Sequence, residues 1–543
     1  MKRYFLAFIM LISFFNSEAQ IEEDKPKLVV GIVVDQMRYD YLTRFWNKFG
    51  EDGFKRLIND GFSFKNNHFN YIPTYTGPGH ASVFTGTTPA AHGIISNSWF
   101  NKFEDKVVYC AGDDSVESVG TESPVGKMSP HRMLSTTFAD ENRLHTQMKG
   151  KTIGIALKDR GAILPAGHTA NAAYWFHGQD EAKWITSTFY MNELPQWVKD
   201  FNNSGKAKTY LKPWNTLQDI TAYTESGDDE TNFEFGFQGK ETATFPYNLP
   251  ELASKNGQYE IIKATPFGND LTAEFAKAAI EGEALGQDGI TDVLTLSFSS
   301  TDYVGHNFGV NSKEIQDTYL RLDLALADFL KYLDQKIGED EYTVFLTADH
   351  GGVDVPAYLN TRRIPAGYFN DIKAKELLEA YVKNEFKADS LIQNVSNTQV
   401  FLDYDVLAQE DLDCDKVQEK IAHYLLQQPY ISRVYTRDQL QTGAFTNGIG
   451  YLIQQGYHQK RSGDVLFVLD PGYIIYPEKG TTHGSGFLYD THVPLIFYGK
   501  GIEKGSTYER SEIPDIAPTI SSFLGISFPN AATGKPLTEI LEK

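Results

Sequence analysis

Residues 28–42, LVVGIVVDQMRYDYL, decide the fold. From Leu28 to Val34 no polar side chain interrupts the run, most residues are β-branched, and the run stops at Asp35. A strand with one wet face alternates apolar and polar residues. An unbroken run instead suits a strand buried on both faces, as in a parallel sheet covered by helices. Four more runs repeat the theme: 152–157 (TIGIAL) leading into Lys158, 293–298 (VLTLSF) ahead of Asp302, 342–346 (YTVFL) ahead of Asp349 and His350, and 493–498 (VPLIFY). Helical periodicity lies between them, at 270–280 with Asp270 as its N-cap, at 314–333 and at 514–524. Strands alternating with helices predict an α/β core: a mostly parallel central sheet flanked by helices on both faces. In such sheets ligands collect beyond the carboxyl ends of the strands, so the residues after each run are the place to look for chemistry.

Two stretches break the alternation. Residues 98–260 are rich in Thr, Gly, Asn and aromatics and carry one core-like run, while 353–475 has helix and strand patterns of its own. Both are read as insertions that wall the site of a single catalytic domain spanning 20–543.

The remaining gross features exclude more than they assign. With 71 acidic against 50 basic residues the net charge is −21, which argues against a nucleic-acid partner. Two cysteines, Cys110 and Cys414, exclude a disulfide framework and a thiolate zinc site, and leave one long-range bridge open. Residues 1–19 read as a signal peptide: Lys2 and Arg3, an apolar run over 4–15, then Ser17-Glu18-Ala19 ahead of Gln20. That run is too short to span a bilayer comfortably, and no later stretch approaches ~18 uninterrupted apolar residues. The expectation is a periplasmic or secreted protein with no membrane attachment after cleavage, and a monomer is favoured.

The residues at the ends of the runs form a set. Asp35, Asp302, His306, Asp349 and His350 follow core runs, and His483 stands in GTTHG shortly before the last one. Three aspartates and three histidines are enough for two zinc ions at three protein ligands each, with positions left open for substrate. Taken singly, each has a plainer reading: Asp35 as a helix N-cap, Asp302 and His306 as a surface pair at helical spacing, Asp349-His350-Gly351-Gly352 as a turn. Their joint placement at strand ends favours the metal site.

A nucleophile fits nearby. In PTYTGPGHAS, residues 73–82, a loop enters a helix with Pro78 near its first turn, which puts Thr76 at a helix N-terminus. Free amides and the helix dipole there favour an alkoxide and phosphate oxygens; the plainer reading is that Thr76 is an N-cap. In Lys158-Asp159-Arg160 an extended segment turns both cations the same way, suited to phosphate oxygens, unless this is a solvated charge run.

At this point the residues match a known pattern. VVGIVVDQMRYDYL, PTYTGPGHASVFTG, AHGIISNSW, GIALKDRGAILPAGH, STDYVGHNFG, TADHGG and KGTTHGSG together resemble the alkaline phosphatase superfamily, most closely its phosphate-irrepressible alkaline phosphatases, from about Pro26 to the C-terminus. The resemblance implies an exported hydrolase of small-molecule phosphate monoesters with two zinc ions. It implies Asp35, Asp349 and His350 on the zinc that also binds and activates Thr76, and Asp302, His306 and His483 on the second, which stabilises the leaving oxygen. It implies Asn97, Lys158 and Arg160 as binders of the transferred phosphoryl group, and a covalent phosphothreonine at Thr76. The rival branch is a nucleotide pyrophosphatase or phosphodiesterase with the same ligands; a zinc-dependent protein without catalysis is the more distant alternative.

Overall fold

The computed structural model describes residues 25–541; the signal-peptide reading of 1–19 lies outside them. Ten strands form the central sheet: β1 (Leu28–Val34), β2 (Phe62–His68), β3 (Ser118–Val119), β4 (Thr152–Ala156), β5 (Ala172–His177), β6 (Lys183–Ser187), β7 (Asp292–Phe298), β8 (Tyr342–Thr347), β9 (Leu495–Gly499) and β10 (Gly505–Glu512), in the order β10-β2-β9-β8-β1-β7-β4-β5-β6-β3. The middle block β8-β1-β7-β4-β5 is parallel throughout. Every residue of β1, β4, β7 and β8 is buried, as unbroken apolar runs predict for strands covered on both faces.

Register then sets the site. Val33 lies opposite Thr347 and Ser297, and Ala156 lies opposite Ser297. The four central strands therefore end level, and the residues that follow them share one edge. Helices α1 (Thr76–Thr85), α2 (Asp159–Ala166), α3 (Phe267–Gly282), α4 (Ser300–Phe308) and α5 (Lys313–Lys336) pack around this block.

Several expectations change. The run 493–498 does not join the parallel block: β9 is antiparallel to both β8 and β2. That reversal explains why His483 precedes its strand, since an antiparallel neighbour enters the sheet at the edge where the parallel ones leave it. The stretch 98–260 is less an insertion than expected, because β3, β4, β5 and β6 all belong to the central sheet; aromatic and polar residues hid the last two runs. By contrast 353–475 does carry its own four-stranded sheet, in the order Ile392–Ser396, Gln399–Leu402, Val465–Leu469, Ile431–Thr436. Its separate core includes Leu378, Val382, Val417 and Ile421. Asp270 does not cap its helix, which begins at Phe267 after Pro266. Cys110 and Cys414 are both free, so the long-range bridge is not formed.

Helix α2 lies against β4 at Gly154, where a Cβ would meet the Ala162 carbonyl oxygen at 2.2 Å and the Ala166 Cβ at 2.9 Å. Backbone cannot yield as a flexible side chain can, so Gly154→Ala should push α2 off the sheet. A loss of about 2 kcal/mol is expected for such overpacking, read as a fall of a few degrees in Tm; an unchanged Tm would show that the contact is slack.

Candidate active site

At the level edge, Asp35 follows β1, Asp302 sits in the first turn of α4 after β7, Asp349 and His350 follow β8, and Lys158 caps α2 after β4. All five are buried. His483 is 9% exposed and comes from the loop ahead of β9. Two triads bring one ligand atom from each member within 4.8 Å of the others: Asp35, Asp349 and His350; and Asp302, His350 and His483. His350 thus stands between them, its ring stacked on His483 at 3.4 Å between centroids. His306 joins the second triad through Asp302, whose Oδ1 lies 3.1 Å from His306 Nε2 and 3.6 Å from His483 Nε2.

The donors fit a divalent metal in two respects. Each histidine turns Nδ1 to a backbone carbonyl: His306 to Thr481 at 2.7 Å, His350 to Gly351 at 2.9 Å and His483 to Thr74 at 2.7 Å. That hydrogen bond leaves Nε2 as the free ligand atom, the usual way a metal-binding imidazole is oriented. In addition Asp35 Oδ1, Asp349 Oδ2 and His350 Nε2 are buried without a hydrogen-bond partner, and all three belong to the first triad. Buried acceptors left bare are costly, and three in one place mark the seat of a cation.

The charges are unevenly balanced. Burial, with Asp302 and Asp349 close by, raises the Asp35 carboxyl well above the usual carboxylate range. Burial works the same way on Asp302, but His306 and Lys158 outweigh it and hold that carboxyl low; Asp349 is likewise held low by His350 and His80 against its burial. Lys158 Nζ donates to Asp35 Oδ2 at 2.7 Å and to Asp302 Oδ2 at 2.5 Å, spanning the two triads. These carboxylates outweigh the cost of burying the ammonium and keep it protonated.

Thr76 is the first residue of α1 and 1% exposed. It is not the N-cap: Tyr75 takes that place, without a side-chain cap. Its Oγ lies 3.5 Å from Lys158 Nζ. The helix can approach this closely because residue 79 is glycine; a Cβ there would meet the Asp349 carbonyl oxygen at 2.2 Å. Asn97 Oδ1 accepts from Gly77 N at 2.7 Å, which leaves its Nδ2 as a donor beside Thr76. Lys158 and Arg160 do not share one extended segment as expected. Lys158 is extended, but Arg160 is already in the first turn of α2. Arg160 Nη1 donates to Tyr109 Oη at 3.1 Å, while its Nε is buried with no partner.

Three residues escaped the sequence reading. Gln36, in the left-handed region at φ 62°, donates its backbone N–H to Asp349 Oδ1 at 3.1 Å and its side-chain amide to Asp302 Oδ1 at 3.0 Å, tying the two triads together. Nothing in sequence signals that conformation. His80 lies one turn after Thr76, its Nδ1 2.9 Å from Thr76 O and 3.2 Å from Asp349 Oδ2, its Nε2 2.8 Å from Ser297 Oγ; here the four-residue spacing was a usable signal. Tyr109 is visible only in the fold. Because His80 orients Asp349, His80→Ala should weaken metal retention by about 10–100-fold. Residual metal after graded chelator dialysis measures this, and wild-type retention would remove His80 from the site.

A family model described as type I phosphodiesterase / nucleotide pyrophosphatase matches residues 29–493. The chain is 44% identical to alkaline phosphatase PafA of Elizabethkingia meningoseptica, over 99% of both chains. It is 45% identical to a Myroides odoratus protein named calcium-transporting ATPase, over 96% of this chain and 95% of that one. The crystal structure of wild-type PafA matches with a TM-score of 0.91 at 45% identity, covering 95% of this chain and 99% of that chain. Motifs, sheet order and site geometry converge with these likenesses: the chain belongs to the type I phosphodiesterase / nucleotide pyrophosphatase family of the alkaline phosphatase superfamily.

Proposed function

We propose that this protein is an exported alkaline phosphatase that hydrolyses small-molecule phosphate monoesters through a phosphothreonine on Thr76. The observation that carries the reading is the place of Thr76. Its hydroxyl stands at the N-terminus of α1, 3.5 Å from a buried ammonium that also bonds an aspartate of each triad. The name of the Elizabethkingia meningoseptica relative, alkaline phosphatase PafA, supports the monoester class, and residues 1–19 support export.

Asp35, Asp349 and His350 would hold one zinc, and Asp302, His306 and His483 the second. Bound there, the ions supply Lewis acidity that eases loss of the Thr76 proton and offsets charge on the leaving oxygen. The chain's own groups do the rest. Asn97 Nδ2 and the Arg160 guanidinium donate to non-bridging phosphate oxygens, and Lys158 adds a point charge beside Thr76. Thr76 Oγ forms a bond to phosphorus as the ester P–O bond breaks. The Thr76 proton passes to solvent, and the leaving alcohol takes one up. Water then attacks the phosphothreonine, inorganic phosphate departs, and the Thr76 hydroxyl is restored. Fixed donors around the phosphoryl group act before and during this transfer without having to reorganise.

The diesterase reading has an observation of its own, the description of the family model. A diester carries one phosphoryl charge fewer and a second ester group, so it gains less from two cations. No helix among the described residues is long and apolar enough to cross a membrane.

The test is a matched pair of kcat/KM values for an aryl monoester and a diester with the same leaving group, measured on zinc-loaded protein. A strong monoester preference is expected. Lys158→Ala/Arg160→Ala should cut monoesterase activity on the order of 10³-fold and diesterase activity far less; equal losses would assign the protein to the diesterase branch. Thr76→Ala should abolish turnover on the order of 10³-fold or beyond with zinc content intact, and full activity in that variant would remove the covalent step.

A further inference from the structure

Asn97 lies in the loop between the short helix Pro89–His92 and the strand Ser98–Asn101. Its backbone carbonyl accepts from Cys110 N at 2.8 Å. From α1, Gly77 N donates to its side-chain Oδ1 at 2.7 Å. The residues on either side of it are gripped by a single side chain from the inserted unit. Asn397 Oδ1 accepts from Ser96 Oγ at 3.1 Å, and Asn397 Nδ2 donates to the Ser98 carbonyl at 2.8 Å.

Asn397 is suited to that grip by its backbone. With Thr398 it forms the two-residue tip of the hairpin joining Ile392–Ser396 to Gln399–Leu402, both at positive φ, 51° and 57°. Such a turn follows the twist of the strands and gives the tip one orientation. The tip is pinned from behind as well, since Thr398 O accepts from Phe467 N at 3.0 Å. Further contacts hold the same segment to the inserted unit. Lys102 Nζ donates to Ser462 O at 2.9 Å, Arg461 Nη1 donates to Arg132 O at 2.8 Å and to Gly93 O, and the Arg461 guanidinium lies 5.3 Å from the Trp99 ring centre. Phe100 meets Phe401 edge to face at 5.3 Å.

We propose that Asn397 is a positioning residue for phosphoryl binding: from the tip of the inserted hairpin it fixes Ser96 and Ser98, and so aims the Asn97 amide between them. This rests on the phosphoryl-binding role given to Asn97 above. The inserted unit then sets the register of one donor to the transferred group, while Lys158 and Arg160 are set by β4 and α2. A donor aimed wrongly by a fraction of an ångström loses most of its value in the transition state, so the effect falls on catalysis more than on folding.

The experiment is a double-mutant cycle on the zinc-loaded full chain, with Asn397→Gly, Asn97→Ala and the double variant. Glycine tolerates the positive φ of residue 397, so the hairpin is kept and the side-chain grip alone is lost. Asn397→Gly should lower monoester kcat/KM by about 10-fold and weaken inhibition by inorganic phosphate in step, with zinc content and Tm close to wild type. In the Asn97→Ala background the same change should have almost no effect, because the donor it aims is gone. Ser96→Ala, which removes one of the two contacts, should fall between Asn397→Gly and wild type. Two results overturn the inference: full activity in Asn397→Gly, or a loss that multiplies undiminished with that of Asn97→Ala. Wild-type activity in Asn97→Ala itself is a separate result, which removes the phosphoryl-binding role of Asn97 and this inference with it, whatever Asn397→Gly does.

Discussion

Three carboxylates, Asp35, Asp302 and Asp349, are buried at one edge of the sheet, and a single ammonium, Lys158, bonds two of them. Such a cluster is expensive in a low-dielectric interior unless positive charge fills the deficit. Much of the surrounding architecture answers that demand. Histidines present Nε2 inward, Gln36 bridges Asp349 and Asp302, and His80 braces Asp349 from α1. Divalent cations would complete the balance and couple their binding to the stability of the whole edge.

The same constraint accounts for the glycine at 79 and the left-handed Gln36. A helix N-terminus is useful to a phosphoryl group only if its first residue reaches the charged edge, and α1 does so by laying backbone on backbone at Asp349. The hydroxyl of Thr76 thereby comes within 3.5 Å of Lys158 Nζ, which bonds an aspartate of each triad. Arg160 keeps a buried Nε without a partner, and Asn97 uses its amide oxygen on Gly77 N, leaving its Nδ2 as a donor. Such unfinished hydrogen bonding contrasts with satisfied polar clusters elsewhere. Asp317, for example, is equally buried but takes hydrogen bonds from Trp214, Leu217, Tyr223 and Arg321.

The inserted sheet extends this arrangement beyond the central sheet. It has a core of its own, so it could drift relative to the central sheet if only surface packing joined them. Instead Asn397 and Arg461 hydrogen-bond to backbone and side-chain groups within residues 93–98, the segment that carries Asn97. A unit that looks peripheral by sequence is therefore hydrogen-bonded to both neighbours of Asn97.

What the sequence by itself determined was local and periodic. Unbroken apolar runs require strands buried on both faces, and the polar residue that ends each run must emerge at a strand end; so Asp35, Lys158, Asp302, Asp349 and His350 were all legible as members of one edge. Thr76 was legible as the start of a helix because Pro78, with its fixed φ and no N–H, suits a first helical turn. The antiparallel entry of β9 was not legible, since a buried run reads the same in either direction. Nor were β5 and β6, whose aromatic and polar residues lack the β-branched pattern of the other runs, or the helical place of Arg160, since the residue at which a strand end turns into a helix is poorly marked in sequence. Gln36, Tyr109 and Asn397 were beyond reach for a different reason. Their roles are contacts between residues tens to hundreds of positions apart, and only the closed tertiary structure decides which of many polar side chains meets which charge.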